Sequence, residues 1–174
     1  MKFHVTRDGS GPAFKPDEAI CETYGIVGQR GTGKSSAAAV LVEEFAASGG
    51  RCVVCDPTGV WYGLAHAGAG SPGIPKTIIL GGEHANAPLE ETGGKVVAEL
   101  VVSADYNVVV LDMKLMRKAQ QVRFMADFLE ALYHANRESL HVVIDEAGRF
   151  APQAVRAYEG AGPAVGAATM AGME

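Results

Sequence analysis

No apolar run in this sequence approaches the roughly 18 to 20 residues that a membrane span requires, so no membrane partner is expected. The Met-Lys-Phe-His opening also lacks the apolar stretch of a secretory signal, and the expected compartment is the cytoplasm. Cysteine is scarce and odd in number, three in 174 residues, which fits reduced thiols better than a disulfide framework. Positive charge is not in excess either. Fifteen Lys+Arg against 20 Asp+Glu leave a net charge of −5, so the chain lacks the overall basic footprint of a non-specific nucleic-acid binder, although local basic loops stay open. A 48% share of hydrophobic residues is enough for one globular core.

Against these absences stands one chemically loaded stretch, Tyr24 to Ser36. It carries the pattern GxxxxGK[ST] from Gly28 to Ser35, the Walker A form of a phosphate-binding loop. By composition alone the pattern arises by chance in about one chain in a hundred of this length. Its context narrows that further, because Tyr24 to Val27 reads as a short buried strand and the Ala-rich segment from Lys34 to Ala47 as a helix. In the loop Gly28, Gln29, Arg30, Gly31, Thr32 and Gly33, glycines let backbone N–H groups approach an anion without Cβ obstruction. The helix N-terminus adds roughly half a positive charge at the same place. Lys34 is expected at the β- and γ-phosphates, Ser35 at Mg²⁺ and Ser36 at the α-phosphate. Arg30 is either a ligand contact or a solvated loop residue.

Along the chain, residues 1–23 read as an arm or edge strand plus a loop. In the first helix Ala37, Ala38, Val40, Leu41 and Phe45 mark the buried face, and Gly49-Gly50 ends it. Arg51 to Asp56 is a fully apolar strand ending in a carboxylate, as a parallel sheet covered on both faces requires. Cys52 and Cys55 form a CxxC within it, but an odd offset of three sends their side chains to opposite faces, so they read as two buried thiols rather than a chelate. Asp56 either positions water or metal or caps the turn at Pro57-Thr58-Gly59, and Trp61 and Tyr62 read as packing residues rather than base-stacking ones. Residues 66–75 read as an exposed loop and Thr77 to Leu80 as a strand. Lys95 to Val102 reads as a short helix with Val96, Val97, Leu100 and Val101 on one side, and Asn107 to Leu111 as a strand ending at Asp112. Residues 116–136 read as a long amphipathic helix carrying Val122, Met125, Phe128, Leu129, Leu132 and Tyr133 on its apolar stripe.

A second loaded stretch is Leu140 to Pro152, where apolar residues run into Asp145-Glu146. A strand that delivers an Asp to the carboxyl edge of the sheet can face Ser35 across Mg²⁺, the Walker B arrangement, and the following Glu146 can align or deprotonate an attacking water. Asp112 is the rival metal-side residue, since Val108 to Asp112 has the same form, but Met113 rather than an acid follows it. Arg149 is read as contacting phosphate, DNA or a neighbouring carboxylate.

The motifs Gly28-Gln-Arg-Gly-Thr-Gly-Lys-Ser35 and Val142-Val-Ile-Asp-Glu-Ala-Gly-Arg-Phe-Ala-Pro152, with Val53-Val-Cys-Asp-Pro-Thr-Gly59 between them, resemble the HerA and FtsK superfamily of P-loop ATPases over roughly residues 17–153. The nearest likeness is to the HerA-like central ATPase domain. The resemblance implies an α/β, RecA-like P-loop NTPase fold with a mainly parallel sheet between helices, and ATP and Mg²⁺ as cofactors. Lys34 and Ser35 would stand at phosphate and metal, Asp145 at metal, and Glu146 as catalytic base. It also implies a homo-oligomer, a hexameric ring where complete, that translocates double-stranded DNA. Family members continue past the Asp-Glu strand into further core strands with a polar sensor and an arginine that reaches a neighbour's ATP, and this sequence has neither. Those C-terminal core strands are therefore read as missing: the chain is a fragment of the fold, or another chain completes the sheet. Turnover is expected to be weak or partner-dependent, because an arginine finger is worth about 10³ to 10⁵ in rate. The division expected is an arm at 1–23, an ATPase core at 24–153 and a Gly/Ala-rich flexible tail at 154–174. A P-loop kinase and a non-catalytic nucleotide-binding assembly module stay open as alternatives.

Overall fold

The computed structural model describes residues 3–4, 13–14, 22–66 and 73–151. The tail expected at 154–174, and most of the arm and of the Gly-rich loop, lie outside the described residues. Near the start, β1 (Phe3–His4) and β2 (Ala13–Phe14) pair antiparallel. The main body then alternates helix and strand: α1 (Lys34–Ala47), β3 (Cys52–Asp56), β4 (Thr77–Leu80), α2 (Gly94–Ser103), β5 (Val108–Asp112), α3 (Lys118–Ala135) and β6 (His141–Ile144). These four strands form one parallel sheet in the order β4-β5-β3-β6.

Strands buried on both faces read as unbroken apolar runs, and β3 and β5 are buried at every position. Alternation then sorts each strand between two cores. Val53, Cys55, Val109 and Leu111 meet α2 and α3 on one face, while Cys52, Val54, Val108 and Val110 meet α1 on the other. The two cysteines therefore part to opposite faces, as their spacing predicts, and burial pushes each thiol up to about 12. Phe45, Phe124 and Phe128 are the largest of the wholly enclosed side chains.

Helix and strand limits agree closely with the sequence reading, but the buried faces differ in places. On α1 the enclosed residues are Leu41, Val42, Phe45 and Ala46, so the stripe sits one position on from the one expected around Val40. On α2 Val97, Ala98 and Val101 face inward and Val96 is exposed. Tyr133 of α3 is also exposed. Sequence periodicity locates an apolar stripe, but the docking of the helix decides which edge of that stripe is covered.

The largest difference concerns Tyr24 to Val27. This segment is not a sheet strand, and Val27 is 92% exposed. A strand needs a ladder formed with a neighbouring strand, and among the described residues no strand pairs with this segment. Among the described residues β6 is paired on one side only, with β3. The amides of His141 and Asp145 donate inward to Arg51 and Cys55, so strand alternation turns those of Val142 and Ile144 outward.

Candidate functional site

The gap between residues 24–27 and the outer edge of β6 is a cavity of about 420 Å³, and Lys34, Ser35, Asp145 and Glu146 all line it. Two elements bring them together. The first is the loop entering α1. Gly31 and Gly33 both take φ of 82°, a left-handed conformation that side chains resist, and the chain thereby turns straight into the helix. A Cβ on Gly28 would stand 2.8 Å from Thr32 Oγ1. Thr32 Oγ1 and Lys34 Nζ both donate to the Gln29 carbonyl, at 2.8 and 3.0 Å, which closes the loop on itself. Arg30, like Gly28 to Gly33 generally, is exposed. The first intrahelical bond is donated by Ala37 to Gly33 O, so the N–H groups of Lys34, Ser35 and Ser36 carry no helical acceptor, an arrangement that favours negative charge.

The second element is the end of β6. Asp145 follows the strand directly, and its amide donates to Cys55 O at 3.1 Å. Ser35 Oγ lies 3.4 Å from Asp145 Oδ2 and donates to it. The Glu146 amide donates to the other oxygen, Oδ1, at 2.9 Å. Glu146 itself has φ of 50° at the start of a 3₁₀ turn, Ala147–Arg149. A non-glycine residue in that region carries strain of order 1 kcal/mol, a cost commonly found where a side chain must be presented at a site. A hydroxyl and a carboxylate converging beside a helix N-terminus are hard oxygen donors, the set that suits Mg²⁺ beside a phosphate.

Two other strand-end acids have different surroundings. Asp56 is wholly buried and accepts five hydrogen bonds, from the amides of Thr58, Gly59, Val60 and Trp61 and from Thr58 Oγ1. Of the two sequence readings, the turn-capping one describes it. Asp112 is 4% exposed and packs against Gly82, with its Oδ1 accepting the Lys114 amide at 2.9 Å. Burial first, then the neighbouring Asp56 charge, raises its carboxyl above the ordinary range, partly offset by the Lys114 bond. It does not line the cavity that Ser35 and Asp145 share.

Three contacts were not anticipated from the sequence. Trp61 packs into the α1-side core and its indole N–H donates to Asp145 Oδ2 at 2.9 Å. Tyr62 stacks on His84 at 4.0 Å between ring centroids instead of entering the core. Arg149 donates to Gln121 Oε1 at 2.9 Å, not to a carboxylate. The Gln121 amide in turn donates to the carbonyls of Met113, Pro57 and Met116, so this side chain ties the loops after β3 and β5 to the turn after β6. A glutamine on the apolar side of a helix was the available signal for that junction. Nothing in the sequence links Trp61 to Asp145.

Among the described residues no helix is long and apolar enough to cross a membrane, and no group of three or more His, Cys, Asp or Glu is placed to hold a metal. No curated protein and no solved structure matches the chain. The family model described as the central domain of helicase HerA matches residues 7–147, a span that contains the Gly28–Ser35 loop, every strand of the parallel sheet and the Asp145-Glu146 pair. With that match and a four-stranded parallel sheet between helices, the chain has a P-loop NTPase-like α/β fold and belongs to the family of HerA central domains.

Proposed function

We propose that this chain binds ATP with Mg²⁺ and hydrolyses it to ADP and phosphate, as a motor domain of the HerA type that acts on double-stranded DNA within a homo-oligomeric ring. The observation that carries this reading is the meeting of Lys34, Ser35, Asp145 and Glu146 around one cavity, with Ser35 Oγ 3.4 Å from Asp145 Oδ2. The free amides at the start of α1 receive phosphate oxygens, and Lys34 exchanges the Gln29 carbonyl for the β- and γ-phosphates. Ser35 and Asp145 hold Mg²⁺, which when bound neutralises charge on the phosphate oxygens. Glu146, exposed at the cavity rim, orients the attacking water and takes its proton. Ser36 supports the α-phosphate.

The roles separate by substitution. Lys34→Ala is expected to abolish ATP binding, whereas Glu146→Gln keeps binding and removes phosphate release. Equal loss of binding in both variants contradicts the division. Phosphate release with and without double-stranded DNA distinguishes the motor from its rivals. DNA-stimulated release supports it, acceptor-dependent ADP formation without free phosphate identifies a kinase, and binding without turnover identifies an assembly module.

A further inference from the structure

The Asp56 carboxylate makes residues 58–61 a rigid element. Four successive backbone amides and one hydroxyl point at its two oxygens, at 2.7 to 2.9 Å, inside a wholly buried site. The last of those amides belongs to Trp61, which is 4% exposed and packs with Leu64 in the core beneath α1. From there its indole reaches across 84 residues of sequence to Asp145 Oδ2, the oxygen that also accepts from Ser35. An indole N–H can only donate. The contact therefore depends on a lone pair of that oxygen, and with the Glu146 amide on Oδ1 it holds the carboxylate from both ends.

We propose that Trp61 is a positioning residue: its indole N–H, set by the loop that Asp56 organises, aims the Asp145 carboxylate at Ser35 and so tunes how the site takes up Mg²⁺ with nucleotide. This rests on reading Asp145 as the metal-side carboxylate. Donors to a metal-ligating carboxylate orient it before the metal arrives, and losing one costs about 10- to 100-fold in metal affinity. Packing alone predicts a modest loss of stability, because phenylalanine is the smaller ring, and no change in the Mg²⁺ requirement. Trp61 is also the only tryptophan in the chain, so its emission reports on this one carboxylate.

The test uses the full chain and a fluorescent non-hydrolysable ATP analogue, with MgCl₂ titrated at fixed analogue. The wild type is compared with Trp61→Phe and Asp145→Asn, and thermal melts run in parallel. The expected result is that Trp61→Phe melts within a few degrees of wild type and binds the analogue equally in EDTA, yet needs about tenfold more Mg²⁺ for half-maximal effect. Asp145→Asn should lose the Mg²⁺ dependence altogether. Loss in Asp145→Asn with a wild-type response in Trp61→Phe overturns the positioning role and leaves the metal reading standing. A wild-type response in Asp145→Asn overturns the metal reading itself. Intrinsic emission keeps the question answerable even where Trp61→Phe does not fold. Trp61 emission should differ between wild type and Asp145→Asn, and in wild type should change when Mg²⁺ is added to bound nucleotide. Identical and unmoved spectra overturn the proposal.

Discussion

Asp56 and Asp145 terminate neighbouring strands of one sheet after similar apolar runs, yet they have opposite surroundings. Asp56 is saturated by five donors from its own following loop, none of which a ligand could displace without unravelling that loop. Asp145 faces a cavity, and two of its three donors, Ser35 Oγ and the Trp61 indole, come from distant parts of the chain. One acid builds structure; the other lines an open cavity. The difference arises after the strand ends. Pro57-Thr58-Gly59 curls back over Asp56, whereas the chain after Asp145 turns away through Glu146 and leaves the carboxylate open.

The sharpest way to break this comparison is to remove each carboxylate in turn. Asp56→Ala leaves several buried amides without acceptors, each costing about 1 to 3 kcal/mol, so a loss of at least about 3 kcal/mol is expected in urea unfolding. Asp145→Asn should cost less than about 1 kcal/mol, since an amide oxygen still accepts from Ser35 or Trp61. Comparable losses in the two variants would show that Asp145 is as structural as Asp56.

A smaller effect is expected from Gly82→Ala, which probes the third acid. Gly82 has φ of 71°, and a Cβ there would stand 1.8 Å from Asp112 Oδ2. The side chain of Asp112 must shift, and the expected cost is about 1 to 3 kcal/mol by the same unfolding measurement. A neutral result means that the Asp112 carboxylate is free to move, which would reopen it as a rival to Asp145.

The smallest effect is in pH dependence. The Asp112 carboxyl is raised in the fold, chiefly by burial, so the folded state holds its proton to higher pH than the unfolded chain. Stability from this group is therefore present below the ordinary carboxylate range and is lost as pH rises through the raised value. Asp112→Asn should flatten that decline, seen as a smaller fall in melting temperature between acidic and neutral pH. An unchanged slope would assign the pH dependence to other groups.

Much of the molecule was legible before its fold. The start of α1 at Lys34, its end at Ala47, the extent of β4 and the parting of Cys52 from Cys55 all follow from local rules of period, glycine placement and strand alternation. The family was readable from the Gly28–Ser35 loop and the Asp145-Glu146 pair, because such motifs set particular residues at fixed spacing. The strand expected at Tyr24 to Val27 was misread because apolar composition signals burial but cannot supply a partner. Val96 and Tyr133 were misplaced because helical periodicity defines a stripe wider than the surface that docks.

The sequence by itself determined which residues carry charge, hydroxyl and backbone freedom, and in what local order. Only the tertiary structure decided which acid would be consumed by its own loop and which would face the cavity, and that a lone tryptophan would reach Asp145. Local conformation follows from neighbours within a few residues. A hydrogen bond across 84 residues exists only once a sheet and a helix have fixed both ends in space.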